Sequence, residues 1–181
     1  MEKIGHLDID WKALNLRINN LDNIECNPGP LPSLKQDQEE LGFTDKNYNV
    51  DNAINLNSIQ IFDTSDTLAD LLPENFLSQH GMTSNMIIKI LEHRPGTFTS
   101  PHYDYYGIAK RVYNADDETE YKRLWIPCMD YKFGHVLCIG DDTIIANYKA
   151  GDVYEFPKAV IHSASNMGIH TRRVMTITGG Q

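Results

Sequence analysis

From about residue 86 to residue 181 the apolar positions fall into short β-type runs separated by turn residues. The pattern predicts eight strands, over residues 86–93, 102–108, 123–130, 135–139, 143–148, 152–156, 161–165 and 172–178. Pro95-Gly96, Gly134, Gly140-Asp-Asp142, Ala150-Gly151, Pro157-Lys158 and Asn166-Met-Gly168 supply the turns. Eight such strands suit a closed or sandwiched antiparallel barrel, which removes exposed edges and leaves a mouth for a small ligand. Residues 1–85 have a different texture, with apolar residues such as Leu14, Leu16, Ile18 and Leu21 in short interrupted groups. The clearest helix there is predicted over 66–79, with Ser65 or Thr67 as N-cap, Leu68, Leu71, Leu72, Phe76 and Leu77 at helical spacing, and Gly81 beyond its end. Pro73 limits how regular that helix can be. Residues 26–32 carry three prolines and a glycine and read as a turn or loop.

Composition narrows the picture. A chain of 181 residues with 41% hydrophobic side chains fits one domain with a real core, divided into a supporting region over 1–85 and a β core over 86–181. Sixteen basic against 25 acidic residues leave a net charge of −9, which argues against nucleic acid or an anionic membrane as partner. No apolar run approaches the roughly 20 residues of a membrane-spanning helix, and residues 1–11 mix charge where a signal peptide would be apolar. Cys26, Cys128 and Cys138 are odd in number and widely spaced, so neither a disulfide framework nor a zinc knuckle is expected. A soluble protein of the reducing cytoplasm is the expectation, and its oligomeric state is not legible.

The candidate chemistry starts at Ser100-Pro-His-Tyr-Asp-Tyr105. On a strand, His102 and Asp104 share one face while Tyr103 takes the other. His162, in an apolar and small-residue stretch 58 residues beyond Asp104, is positioned to be a third ligand. Two imidazoles and one carboxylate on one face of an octahedron suit non-haem Fe(II), leaving open positions, whereas zinc prefers a tetrahedral site. Taken alone, a His-x-Asp pair is more often a surface hydrogen-bonded pair, so the reading draws on its context.

The context resembles the Fe(II)/2-oxoglutarate-dependent oxygenases, in which His-x-Asp is followed by a distant His and, about ten residues later, an Arg. The resemblance covers about 86–179. Within it, Arg123-Leu-Trp-Ile126, Gly134-His-Val-Leu-Cys-Ile-Gly140, Ala150-Gly-Asp-Val-Tyr-Glu-Phe-Pro157, Ile161-His-Ser-Ala-Ser-Asn166 and Arg172-Arg-Val-Met-Thr-Ile177 look most like the aspartyl/asparaginyl β-hydroxylase branch. That branch lacks the carboxylate ligand, which this chain has as Asp104, so the superfamily is the closer match. Gly151-x5-Pro157-x4-His162-x3-Asn166 also resembles the second motif of cupins, which share the architecture. The first cupin motif is not matched, because Asp104 stands where a second His would. The implied fold is mainly β, a double-stranded β-helix or jelly-roll barrel with supporting N-terminal helices. The implied reaction uses Fe(II), 2-oxoglutarate and O2 to hydroxylate an amino-acid, peptide or small-metabolite substrate, releasing succinate and CO2.

Such a co-substrate would put its far carboxylate inside a barrel of low polarity, where a planar guanidinium is a well-suited partner. Arg172 and Arg173 stand ten and eleven residues after His162, and adjacent strand residues face opposite sides, so one of them is expected inside. Arg173, followed by the apolar Val-Met-Thr-Ile, matches the resemblance better and is the first choice, with Arg172 the second. Two exposed arginines flanking a strand end are the alternative. Arg123 shares a strand face with Trp125 and would supply a second inward cation. By alternation Tyr106 joins the side of His102 and Asp104, where its hydroxyl could bond a carboxylate. His6, His80, His93, His135 and His170 have no partner at ligand spacing and are left out of the site. The acidic loop around 116–120 reads as a solvated face or a lid. The competing functional readings are a cupin-like metal-dependent enzyme without 2-oxoglutarate and a non-catalytic β-barrel binding protein.

Overall fold

A computed structural model of the chain describes residues 1–19, 39–40, 42, 60–63, 68–104, 113 and 120–181. The strands among them are β1 (Lys3–His6), β2 (Gln60–Asp63), β3 (Ser84–His93), β4 (Thr97–His102), β5 (Tyr121–Pro127), β6 (His135–Ile139), β7 (Thr143–Ile145), β8 (Asp152–Phe156), β9 (His162–Asn166) and β10 (Arg172–Gly180). They form two antiparallel sheets, ordered β1-β8-β5-β10-β3-β2 and β4-β9-β6-β7. From β3 onward the chain passes between the sheets at almost every connection, the β6–β7 hairpin excepted. This winding is the double-stranded β-helix, and β1 and β2 extend the two ends of the larger sheet.

The larger sheet is buried on both faces. Its outer face packs Ile88, Ile90, Leu124, Ile126, Met175 and Ile177 against Leu14 and Ile18 of helix α1 (Trp11–Asn19) and against Leu68, Phe76 and Met82. Its inner face meets the smaller sheet through Trp125, Leu137, Ile139, Tyr148, Tyr154, Phe156 and Val174. Each fully buried Leu or Ile contributes roughly 1.5–3 kcal/mol, so covering a second face adds substantially to a two-sheet core. Trp125 makes edge-to-face contacts with Tyr148 and Tyr154 at centroid distances of 5.4 and 5.5 Å, which fixes the aromatic floor of the interior.

Seven of the eight expected strands have counterparts, and the exception has a physical cause. The strand expected over 102–108 runs from Thr97 to His102 instead. Pro95 and Gly96, with Gly96 at φ +80°, close a tight turn in which Thr97 N donates to Arg94 O at 3.1 Å, so the chain reverses and starts its next strand at once. Residues 105–108 lie outside the described residues.

The helix expected over 66–79 is two short pieces, a 3-10 turn at Ala69–Leu71 and α2 (Phe76–Gln79). Leu72, the residue before Pro73, is extended at ψ 136°, because the proline ring crowds a helical conformation there. Positions 65–67 and the loop over 26–32 lie outside the described residues. Helix α1 went unnoticed in the apolar pattern, although its signals are present. Asp10 caps it, its Oδ1 accepting from Ala13 N at 2.9 Å, and Leu14 and Ile18 are four residues apart on the buried face.

Candidate metal centre

His102 ends β4 and lies directly across from His162, the first residue of β9. This pairing depends on a β-bulge. Thr99 pairs with Ala164 and His102 with His162, so three steps along β4 match two along β9. The extra residue returns His102 to the inward face that Thr99 occupies, and Pro101, which has no N–H to give to a ladder, sits within the bulge. The two imidazole centroids are 4.1 Å apart.

Asp104 reaches the same point by another route. The expectation that it shares a strand face with His102 is corrected, because β4 ends at His102 and Asp104 lies beyond it. Main-chain and ionic ties bring it back. Asp104 O accepts from Ala159 N at 3.2 Å, in the turn leading to His162, and Asp104 Oδ2 is ion-paired with Arg123. Ala159 holds φ +53°, a left-handed conformation uncommon for a residue with a Cβ, so the backbone is strained beside the centre. His162 Nε2 stands 3.5 Å from Asp104 Oδ2, and one ligand atom from each of His102, Asp104 and His162 lies within 4.8 Å of the others.

Both imidazoles are set in the same tautomer. His102 Nδ1 donates to Ser100 O at 2.8 Å, and His162 Nδ1 donates to Val160 O at 3.0 Å. A carbonyl can only accept, so each ring carries a proton on Nδ1 and leaves Nε2 as the nitrogen available to a metal. Metal-binding histidines need such partners to fix tautomer and ring orientation. Burial pushes the His162 pKa down to about 4, with the neighbouring His102 adding to it and Asp104 opposing it. Burial alone would raise the Asp104 pKa, but Arg123, His162 and His102 outweigh it and hold the carboxyl below its ordinary value. The donor set is thus a carboxylate and two imidazoles whose Nδ1 atoms are tied to carbonyls, which fits a divalent metal ion.

The three cations fall in three places. Arg123 faces the centre, with Nε donating to Thr178 Oγ1 at 2.9 Å and Nη1 on Asp104. Arg172 faces the interior and is 1% exposed. Its Nη1 donates to His93 Nδ1 at 3.1 Å, its Cζ lies 5.6 Å from the Trp125 ring centroid and the Tyr148 hydroxyl stands beside the guanidinium, while among the described residues no hydrogen bond of standard geometry reaches Nε or Nη2. Arg173, the expected inward residue, faces the other side of the sheet, which corrects the choice between the two. Its Nε donates to Glu92 Oε2 at 2.7 Å, and its Nη atoms reach Asn15 and Asn19 of α1. The reason is parity: Met175 and Ile177 belong to the outer core, so Arg173 must share their face, while Arg172 shares that of Val174. Tyr106 and residues 116–119 of the acidic loop lie outside the described residues.

His93, isolated by its spacing in the sequence, has partners in the fold. It is 1% exposed, pairs with Arg172 across β3 and β10, and its Nε2 lies 2.8 Å from Thr99 Oγ1. No spacing in the chain signals a contact between residues 79 apart, so only strand register could reveal it. His135 is also buried, with Nε2 donating to His170 O at 2.8 Å.

Strand order and ligand set together define a double-stranded β-helix protein with a candidate metal centre. No protein-family model matches the sequence, and no curated protein matches it. Among solved structures, similarity extends to a cupin 2 conserved barrel domain protein from Salinispora arenicola, at 14% identity over 68% of this chain and 76% of that one, with a TM-score of 0.38. It extends also to a cupin superfamily protein from Desulfitobacterium hafniense, at 16% identity over 68% and 78%, with a TM-score of 0.39. A protein from Thermotoga maritima called a predicted oxalate decarboxylase is 14% identical over 68% and 81%, with a TM-score of 0.39. At these scores the likeness is descriptive, and the fold rests on the strand order itself. Among the described residues, no helix is long and apolar enough to cross a membrane.

Proposed function

We propose that this protein is a non-haem Fe(II)- and 2-oxoglutarate-dependent oxygenase that hydroxylates an amino-acid, peptide or small-metabolite substrate. One observation carries the reading: the interior that holds the His102, Asp104 and His162 cluster also holds a buried guanidinium, Arg172, with two unpartnered nitrogens and no ion pair among the described residues. A buried cation of this kind is costly unless an anion joins it. A 2-oxo acid bearing a second carboxylate would meet both features, its oxo-acid end at the metal and its far carboxylate at Arg172.

When bound, iron and 2-oxoglutarate would supply oxygen activation coupled to oxidative decarboxylation, giving succinate, CO2 and a hydroxylated product. The chain's own residues do the rest. His102 and His162 would ligate through Nε2, with Ser100 O and Val160 O holding their orientation. Asp104 would be the third ligand, with Arg123 offsetting its negative charge. Arg123, tethered by Thr178, would also stand near the centre as a cation for a carboxylate of co-substrate or substrate. Trp125, Tyr148, Tyr154 and Phe156 wall the interior and exclude water from it.

An anaerobic titration of the metal-free protein with Fe(II) and then 2-oxoglutarate tests the reading. A visible charge-transfer band is expected in the parent, lost in His162→Ala and weakened in Arg172→Ala. Iron binding without a band would replace the reading with a cupin-like metal enzyme that uses no oxo acid. Ligand-dependent stabilisation with no oxygen consumption would point instead to a binding protein.

A further inference from the structure

On the same two strands, Arg172 is held by a residue that leaves its charge intact. Across β3 and β10, Arg172 pairs with His93 and Arg173 with Glu92, one pair on each face of the sheet. The outer pair is an ion pair, Arg173 Nε to Glu92 Oε2 at 2.7 Å. The inner pair has no carboxylate. His93 Nδ1 accepts from Arg172 Nη1, so the neutral ring must carry its proton on Nε2, which then donates to Thr99 Oγ1. Asn166 Nδ2 donates to His93 O at 2.9 Å and holds the backbone of the same residue. The imidazole therefore aims the guanidinium without neutralising it; the Tyr148 hydroxyl beside it is neutral too, and no anion among the described residues meets Nε or Nη2.

We propose that His93 is a positioning residue for the anionic ligand of Arg172: a neutral acceptor that orients the guanidinium and keeps its full positive charge available for a carboxylate. This rests on the oxygenase reading above and deepens it. Selectivity for a dicarboxylic oxo acid over a monocarboxylic one then depends on residue 93 being uncharged. A carboxylate there would form an internal ion pair with Arg172 and compete with the ligand. A neutral side chain with an acceptor would preserve the site. Burial keeps the ring uncharged, pushing the His93 pKa down to about 3, with Arg172 and His135 contributing.

The test is binding of 2-oxoglutarate and of 2-oxobutanoate, which lacks the far carboxylate, to the Mn(II)-loaded protein without oxygen. Parent, His93→Gln and His93→Asp are compared. The parent should prefer 2-oxoglutarate, and His93→Gln should keep that preference to within about threefold. His93→Asp should bind 2-oxoglutarate about 30-fold more weakly while 2-oxobutanoate binding is unchanged. If the parent shows the preference and His93→Asp keeps it, the role of His93 is overturned and the oxygenase reading survives. If the parent binds neither acid, or both equally, the oxygenase reading fails and takes this inference with it. Should His93→Asp not fold, nitrogen NMR of the parent's histidines decides. A neutral ring protonated on Nε2 at pH 6 supports the role, and an imidazolium or an Nδ1-protonated ring overturns it.

Discussion

Residues 92 and 93 of β3 face residues 173 and 172 of β10, and the two neighbouring pairs meet opposite requirements. Outside, Glu92 and Arg173 cancel each other's charge and fasten α1 to the sheet through Asn15 and Asn19. Inside, His93 and Arg172 leave a net positive charge in the core. The outer pair joins opposite charges, whereas the inner pair joins a cation to a neutral ring. Among the described residues a buried charge is uncompensated on one face of the sheet, one residue from a compensated one on the other, and stability alone would favour pairing both.

The largest effect should come from Arg172→Met. Losing two charge-assisted hydrogen bonds at roughly 1.5–2 kcal/mol each would weaken 2-oxoglutarate binding on the order of 300-fold. Stability should hold or rise, since an apolar side chain of similar volume replaces an unpaired buried cation. Anaerobic titration and thermal melting would show both, and unchanged affinity would break the comparison. Next comes Arg173→Met, which leaves the buried Glu92 only the longer contact to exposed Arg94 and should cost about 2 kcal/mol in denaturant unfolding, with oxo-acid binding unaltered. The double variant Glu92→Leu/Arg173→Met should recover most of that loss, because no buried charge is then left alone and Arg94 is solvated.

The smallest effect is in pH. The folded His93 pKa is about 3 and that of His162 about 4, both below the ordinary 6.5. Below pH 6.5 the unfolded chain therefore binds more protons than the folded metal-free one, and stability falls as the solution is acidified. Each histidine should cost about 1 kcal/mol between pH 6.5 and 5.5, and only about 0.4 kcal/mol over the pH unit above that window. Urea titrations of the metal-free protein across this range should show a shallower slope in His93→Gln. An equal slope would mean that His93 is not held neutral.

The β texture after residue 86, its turns and the ligand types were legible because they are local. Alternation, Pro-Gly pairs and residue chemistry need no distant partner to be read. What failed was parity and pairing. The choice between Arg172 and Arg173 turned on which face of β10 carries Met175 and Ile177, and with helix α1 unread that face looked no more buried than the other. Asp104 does lie beside His102, but a bulge, a left-handed Ala159 and Arg123 bring the two together, not the pleat.

By itself, the sequence determined the mainly β character of residues 86–181, the places where the chain turns and the two histidines and the aspartate able to serve a metal. Only the tertiary structure decided which arginine enters the interior, that His93 holds it, and that Thr178 and Arg123 stand behind Asp104. The physical reason is that charge compensation acts through space. Whether a buried arginine is neutralised depends on the register of two strands 79 residues apart, which no local pattern of polar and apolar residues encodes.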